Sequence, residues 1–182
     1  MEKEDKVWYE AFLRGDQESF GKLILKYQKR LIYFINQIVK NIDVSEDLAE
    51  DVFVYMLIHQ KEYDFKFSFQ TYLYTIGKSR AINYIKKEKR VIPFMEGQEF
   101  EDEEQLEEIV LRKEKSKTVR DAIGLLPVRD QELIYLIDFE KMSYQEVRQV
   151  LGKTLPQVKM GIFRARNRLK EVLRKEEQKY EN

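Results

Sequence analysis

The sequence predicts an all-α protein of two small helical domains joined by an acidic linker, the C-terminal domain carrying a helix-turn-helix. Three observations predict it. Glycine and proline are scarce, seven and three in 182 residues, while apolar residues recur at the i, i+3, i+4 spacing that lines one face of a helix. The stretch Glu96 to Glu108, eight acids and no base, follows Pro93 and lacks a dense apolar stripe, so it reads as a flexible linker. Ser143 to Arg168, SYQEVRQVLGKTLPQVKMGIFRARNR, holds two helix starts separated by a glycine-containing turn.

The first helical unit runs from about Val7 to Arg90. It opens with an amphipathic helix whose Trp8 and Phe12, with Phe20, Leu23 and Tyr27 after them, can share a core, and Leu31 to Val39 continues as a strongly apolar helix. Asn41 to Val44 breaks the pattern and Ser45 can cap the next helix, which buries Leu48, Val52 and Met56 together with Ala49, Phe53 and Leu57. Its other face shows Glu46, Asp47, Glu50 and Asp51. Taken alone, this acidic cluster reads as a solvated first turn that complements the helix dipole. Phe65, Phe67 and Phe69 alternate through a segment without helical period, and Tyr72 to Lys89 then reads as a helix carrying Tyr72, Leu73, Ile76, Ile82 and Ile85. The residues leave two readings open here. The rings are core and the Lys/Arg run is a helix C-terminus, or the rings stack on bases while the cations follow a single-stranded backbone.

The second unit begins near Ser116, with Val119, Ile123 and Leu126 on a helix ending at Pro127 and Leu133, Ile134 and Ile137 on the next. Ser143 and Glu146 form a capping box, in which each side chain satisfies a backbone N–H that the first helical turn leaves unpaired. Val147, Val150 and Leu151 give that helix a buried stripe, and Gly152 supplies a residue able to take positive φ at its end. Thr154 with Gln157 repeats the capping box, Pro156 sits in the first turn, and Val158, Ile162, Ala165 and Leu169 continue an apolar stripe. A helix of this kind has the diameter to enter a major groove. From Lys153 to Lys170 there are six basic residues and no acid, the charge that phosphates require. DNA binding is therefore favoured over an ordinary helical hairpin with a solvated basic face.

A net charge of zero hides charges sorted into blocks. Asp43 to Asp51 holds five acids and no base, and Lys78 to Arg90 six bases and one acid. The chain has no cysteine, which excludes disulfides and thiolate metal sites. One histidine, His59, expected at the surface or its boundary, and the absence of G-x-x-x-x-G-K and H-E-x-x-H leave nucleophilic, P-loop and zinc chemistries without their parts, so no enzyme and no cofactor are expected. With no signal peptide and no apolar run long enough to span a bilayer, the expectation is a soluble, cytoplasmic protein with no membrane insertion.

The blocks FQTYLYTIGKSRAINYIKKEKR, Phe69 to Arg90, and LLPVRDQELIYLIDFEKMSYQEVRQVLGKTLPQVKMGIFRARNRL, Leu125 to Leu169, preceded by the acidic helix VSEDLAEDVFVYM, resemble the extracytoplasmic-function group of bacterial RNA polymerase sigma factors. The order of the three blocks carries the resemblance rather than any one motif. It implies a core-polymerase and minus-ten domain over residues 1–94, a linker over 95–114 and a minus-thirty-five domain over 115–177. Asp47, Glu50 and Asp51 would then dock on the clamp of the polymerase largest subunit, the flap being a further contact. Tyr72, Lys78, Ser79, Arg80, Asn83, Lys86 and Lys87 would meet the minus-ten element of promoter DNA. Lys153, Gln157, Lys159, Met160, Phe163 and Arg164 would meet the minus-thirty-five element, with Val158 and Ile162 facing the domain. An anti-sigma factor, commonly membrane-linked, is the implied regulator. The chain departs from the family pattern at Arg148, where Ala is usual, at Lys141, where Gly is usual, at Met160 and Gly161, where polar or basic residues are usual, and at Ser79, where Asn is frequent. The rival is a stand-alone helix-turn-helix regulator binding duplex DNA as a dimer.

Overall fold

The computed structural model describes residues 2–91 and 115–180, and within them every regular element is helical. The expected linker falls outside the described residues. Two helical units are present and are taken in turn.

In the first unit α1 (Glu2–Leu13), α2 (Gln17–Val39), α3 (Ile42–Ile58) and α4 (Phe69–Val91) pack around α2, which meets each of the other three. Asp16 starts α2, its carboxylate accepting the N–H groups of Glu18 and Ser19; this satisfies two donors that a helix start would leave orphaned. The row of α1 that faces α2 is Asp5, Tyr9 and Phe12, all buried. Tyr9 thus takes the core place expected of Trp8, which stays at the boundary with the Lys26 ammonium 5.4 Å from its ring centroid. Phase decides this, since a row at 5, 9 and 12 leaves residue 8 at its edge. The buried Asp5 carboxylate is neutralised by Lys26 and accepts a hydrogen bond from the Tyr27 hydroxyl, partners without which its desolvation would oppose folding.

The cap of α3 is Asn41 and not Ser45. Asn41 is extended and its side chain accepts the Val44 N–H at 3.1 Å, whereas Ser45 is buried inside the first turn and donates to the Asn41 carbonyl at 2.6 Å. Ala49, Val52, Phe53 and Met56 are buried as expected, but Leu57 is 42% exposed and leaves the core. The fourth helix begins at Phe69, three residues earlier than its apolar spacing indicates, because Ser68 accepts the Thr71 N–H and caps it. Gly77 on α4 is buried against α2, where a Cβ would come within 2.7 Å of Leu31 Cδ1.

In the second unit α5 (Lys115–Gly124) and α6 (Val128–Ile134) pack on α8 (Leu155–Tyr180), with α7 (Tyr144–Leu151) before it. α5 stops at Gly124, short of Pro127, because the buried Gln131 amide donates to the carbonyls of Gly124 and Leu126 and draws the chain into a turn. α6 runs on into a π-helical turn, Tyr135–Phe139. Lys141 adopts φ +58°, the left-handed conformation that glycine takes without strain. Both capping boxes form: the Glu146 carboxylate accepts the Ser143 N–H at 2.9 Å, the Gln157 carbonyl accepts the Thr154 N–H at 2.8 Å, and each reciprocal bond is present. Between the two helices Gly152 sits at φ +63° with open space around its Cα.

A Cβ at this position meets no atom but strains the backbone. Gly152→Ala should cost the second domain roughly 1 kcal/mol, read as a lower urea midpoint at unchanged m value; an unaltered midpoint would show that this turn is not left-handed.

Candidate nucleic-acid interface and docking surface

Three exposed surfaces collect the residues singled out from the sequence. On α3, Asp47, Glu50 and Asp51 are exposed, as is Glu46. Three- and four-residue steps carry the same face from these acids to Val54, Leu57 and Ile58. All three are exposed, Ile58 by 68%. The outer face of α3 is therefore acidic over its first half and apolar over its second. Spacing from Glu50 and Asp51 could have found the apolar half, had Leu57 not been assigned to the core. At the end of α3, Glu62 accepts a hydrogen bond from the Tyr55 hydroxyl and pairs with His59 Nδ1 at 2.9 Å. The Tyr55 hydrogen bond, with the nearby His59, holds the Glu62 carboxyl below its usual range. His59 is at the surface, as expected, and stacks on Tyr55.

On α4, Tyr72, Ser79, Asn83 and Lys86 follow one another along a single line of the helix, with Lys87 beside it, and Ser79, Asn83, Lys86 and Lys87 are exposed. Lys78 and Arg80 are half-buried, and the Arg80 guanidinium lies 5.4 Å from the Tyr55 ring centroid, a cation–π placement that links α4 to α3. Tyr72 is half-buried. One of its ring faces stacks on Tyr63 at 5.0 Å, and its hydroxyl is buried with no hydrogen-bond partner among the described residues. Burial, with the nearby Tyr55, Glu62 and Asp64, pushes its phenol up to about 12. The three alternating phenylalanines have three fates. Phe69 is core, Phe65 packs against Tyr9 and Tyr63 from a left-handed backbone at φ +60°, and Phe67 is exposed.

On α8, Val158, Ile162 and Ala165 are buried and Leu169 half-buried, so the expected inner stripe is realised. Gln157, Lys159, Met160, Phe163 and Arg164 are exposed, and Lys153 is half-exposed in the preceding turn. Two of the six basic residues are already engaged. Arg166 forks onto Asp138, its Nε 3.1 Å from Oδ2, and Arg168 pairs with the buried Asp130. Lys153, Lys159 and Arg164 have no acidic partner among the described residues. Gly161 faces the domain, where a Cβ would lie 2.7 Å from Leu133 Cδ1; its helix-propensity cost of about 1 kcal/mol relative to Ala accompanies a close approach of α8 to α6.

No helix among the described residues is long and apolar enough to cross a membrane. No group of three His, Cys, Asp or Glu side chains among them could hold a metal ion.

Residues 23–91 match the family model described as Sigma-70 region 2, and residues 116–169 match that described as Sigma-70, region 4. Among curated relatives, RNA polymerase sigma-H factor of Pseudomonas aeruginosa is 28% identical over 94% of this chain and 95% of its own length. ECF RNA polymerase sigma-E factor of Escherichia coli is also 28% identical, over 89% of this chain and 90% of its own. Among solved structures, the sigma factor RpoE of Bartonella quintana, crystallised with the anti-sigma factor NepR, superposes with a TM-score of 0.69 at 22% identity over 86% of this chain and 98% of that one, a likeness of fold. The chain belongs to the sigma-70 family of bacterial RNA polymerase sigma factors, in its extracytoplasmic-function group. Sigma factors are transcription initiation factors, and the stand-alone regulator is not favoured.

The raised phenols of Tyr9 and Tyr72 carry a pH consequence. A phenol whose folded pKa exceeds its ordinary value of 10.0 contributes stability that is full below pH 10 and is lost as pH rises through the folded value. The first domain should unfold progressively more easily above about pH 10. Tyr72→Phe, which keeps the ring and deletes the unpartnered hydroxyl, should be at least as stable at pH 7 and show a flatter alkaline loss in urea titrations followed by circular dichroism; a profile identical to the parent's would refute the assignment.

Proposed function

We propose that this chain is a promoter-specificity subunit of RNA polymerase, cytoplasmic and without catalytic residues of its own, which binds core enzyme, directs it to a promoter and helps separate the strands. The observation that carries the reading is the outer face of α3, whose exposed acids and exposed apolar residues sit on the same domain as the aromatic and basic surface of α4. A regulator that only grips duplex DNA has no use for such a face, since acids repel phosphate. The region 4 match in the same chain supports the reading of a second DNA contact.

The domain roles follow the same reading. Residues 1–94 form the core-binding and minus-ten domain, 95–114 the linker and 115–177 the minus-thirty-five domain. Asp47, Glu50 and Asp51 supply charge to the clamp of the polymerase largest subunit, and Val54, Leu57 and Ile58 supply apolar area beside them. On α4, Ser79, Asn83, Lys86 and Lys87 face outward to bond bases or neutralise phosphate, with Lys78, Arg80 and Tyr72 at the edge of that surface. On α8 and the turn before it, Lys153, Gln157, Lys159, Met160, Phe163 and Arg164 meet the minus-thirty-five duplex, and the flap of the polymerase is a further contact of this domain. An anti-sigma factor holds the chain inactive by covering these surfaces; the Bartonella relative of like fold was crystallised in complex with an anti-sigma factor.

The two halves of the α3 face respond differently to salt, because screening weakens charge pairs and leaves apolar burial intact. Reversal of Asp47, Glu50 and Asp51 to Lys should abolish binding to core RNA polymerase at moderate salt with the helical circular dichroism unchanged. Leu57→Ser with Ile58→Ser should remove the part of the affinity that survives high salt. Fluorescence anisotropy reads both, and unchanged affinity in the charge-reversal variant would sink the docking role of α3.

A further inference from the structure

On the outward face of α8 the exposed polar side chains Lys159, Arg164 and Asn167 stand beside others that are already engaged. The Gln157 carbonyl accepts the Thr154 N–H, so while it caps the helix part of this side chain's acceptor capacity is already used and its orientation is set by the cap. Arg166 and Arg168 are held by Asp138 and Asp130. Gly161 offers no side chain and faces Leu133. What stands outward among the remaining cations is an apolar pair, Met160 at 50% and Phe163 at 61% exposure, one helical step of three residues apart. Large apolar side chains on a charged outer face gain most from a partner that brings apolar groups of its own. In the major groove the apolar group is the C5 methyl of thymine.

We propose that Met160 and Phe163 read the upstream promoter element by apolar contact with thymine methyl groups, while Lys153, Lys159 and Arg164 anchor the phosphates on either side. This rests on the reading of α8 as the base-reading helix. It makes the sequence preference of this chain one for thymine at one or two positions of that element. Both side chains are exposed and contribute nothing to the core, so Met160→Ala and Phe163→Ala should fold as the parent does.

The test uses core RNA polymerase loaded with the full chain. Duplex promoters randomised upstream of the minus-ten element are selected by binding, and each thymidine of the selected upstream element is then replaced, one at a time, by deoxyuridine, which lacks only the methyl. Binding by the parent should weaken about four-fold for each methyl that is read, and Met160→Ala or Phe163→Ala should bind the thymidine and deoxyuridine duplexes equally. Selected elements without thymine, or equal binding of both duplexes by the parent, would overturn the proposal. So would a deoxyuridine effect that persists in both variants, because it would arise from duplex deformability. A holoenzyme that assembles and selects no upstream element would overturn the base-reading role of α8 itself.

Discussion

Two carboxylates of the second domain, Asp130 on α6 and Asp138 in the π-helical turn that continues it, hold Arg168 and Arg166 of α8. These pairs add to the buried stripe of Val158, Ile162 and Ala165 in holding α8 at its rotation about its own axis. Asp130 is buried, and a buried carboxylate without its cation would carry an uncompensated desolvation cost. Arg168 therefore cannot turn outward without exposing that cost, and Arg166 and Arg168, two residues apart, flank the buried stripe of α8 on its two sides. Val158, Ile162 and Ala165 are buried, and Gly161 lets the helices approach at Leu133. The residues left outward, Gln157, Lys159, Met160, Phe163 and Arg164, are a consequence of this constraint as much as of the pattern of α8 itself.

The first domain is built on a different constraint, an aromatic core that admits one charge. Tyr9, Phe12, Tyr27, Tyr63 and Phe69 pack edge to face or tilted, with the stacked pair Phe12 and Phe20. Asp5 enters this core because Lys26 and Tyr27 satisfy it. With α2 at the centre of the packing, α3 and α4 each keep one face for solvent. That is why the acidic block of the sequence and its first basic block end as separate surfaces of one domain, and why a net charge of zero is compatible with contacts to both protein and DNA.

Several side chains serve structure and surface together. Gln157 caps α8 and also stands on its outer face. Arg80 points its guanidinium at Tyr55 while belonging to the basic row of α4. Tyr72, which the resemblance sets against the minus-ten element, already stacks on Tyr63. A side chain with an internal partner is pre-oriented, which lowers the entropy lost when an external partner binds, but it brings less unused capacity to that partner.

Much of the fold was legible in the sequence. The capping boxes at Ser143 and Thr154, the glycine turn at Gly152, the stripe of Val158, Ile162 and Ala165, and the exposure of Asp47, Glu50 and Asp51 all follow from residues at most four positions from the next. Local bonds and helical phase determine them, and the sequence carries both directly. It also determined by itself that charge is sorted into blocks. The tertiary structure alone decided that Arg166 and Arg168 are engaged, by acids 28 and 38 residues away, that Tyr9 displaces Trp8 from the core, that Leu57 joins Val54 and Ile58 outside it, and that Gly161 meets Leu133. The physical reason is common to these cases. Whether a cation is paired, a ring covered or a leucine exposed depends on what a distant segment places opposite it, and helical periodicity says which residues share a face without saying what that face meets.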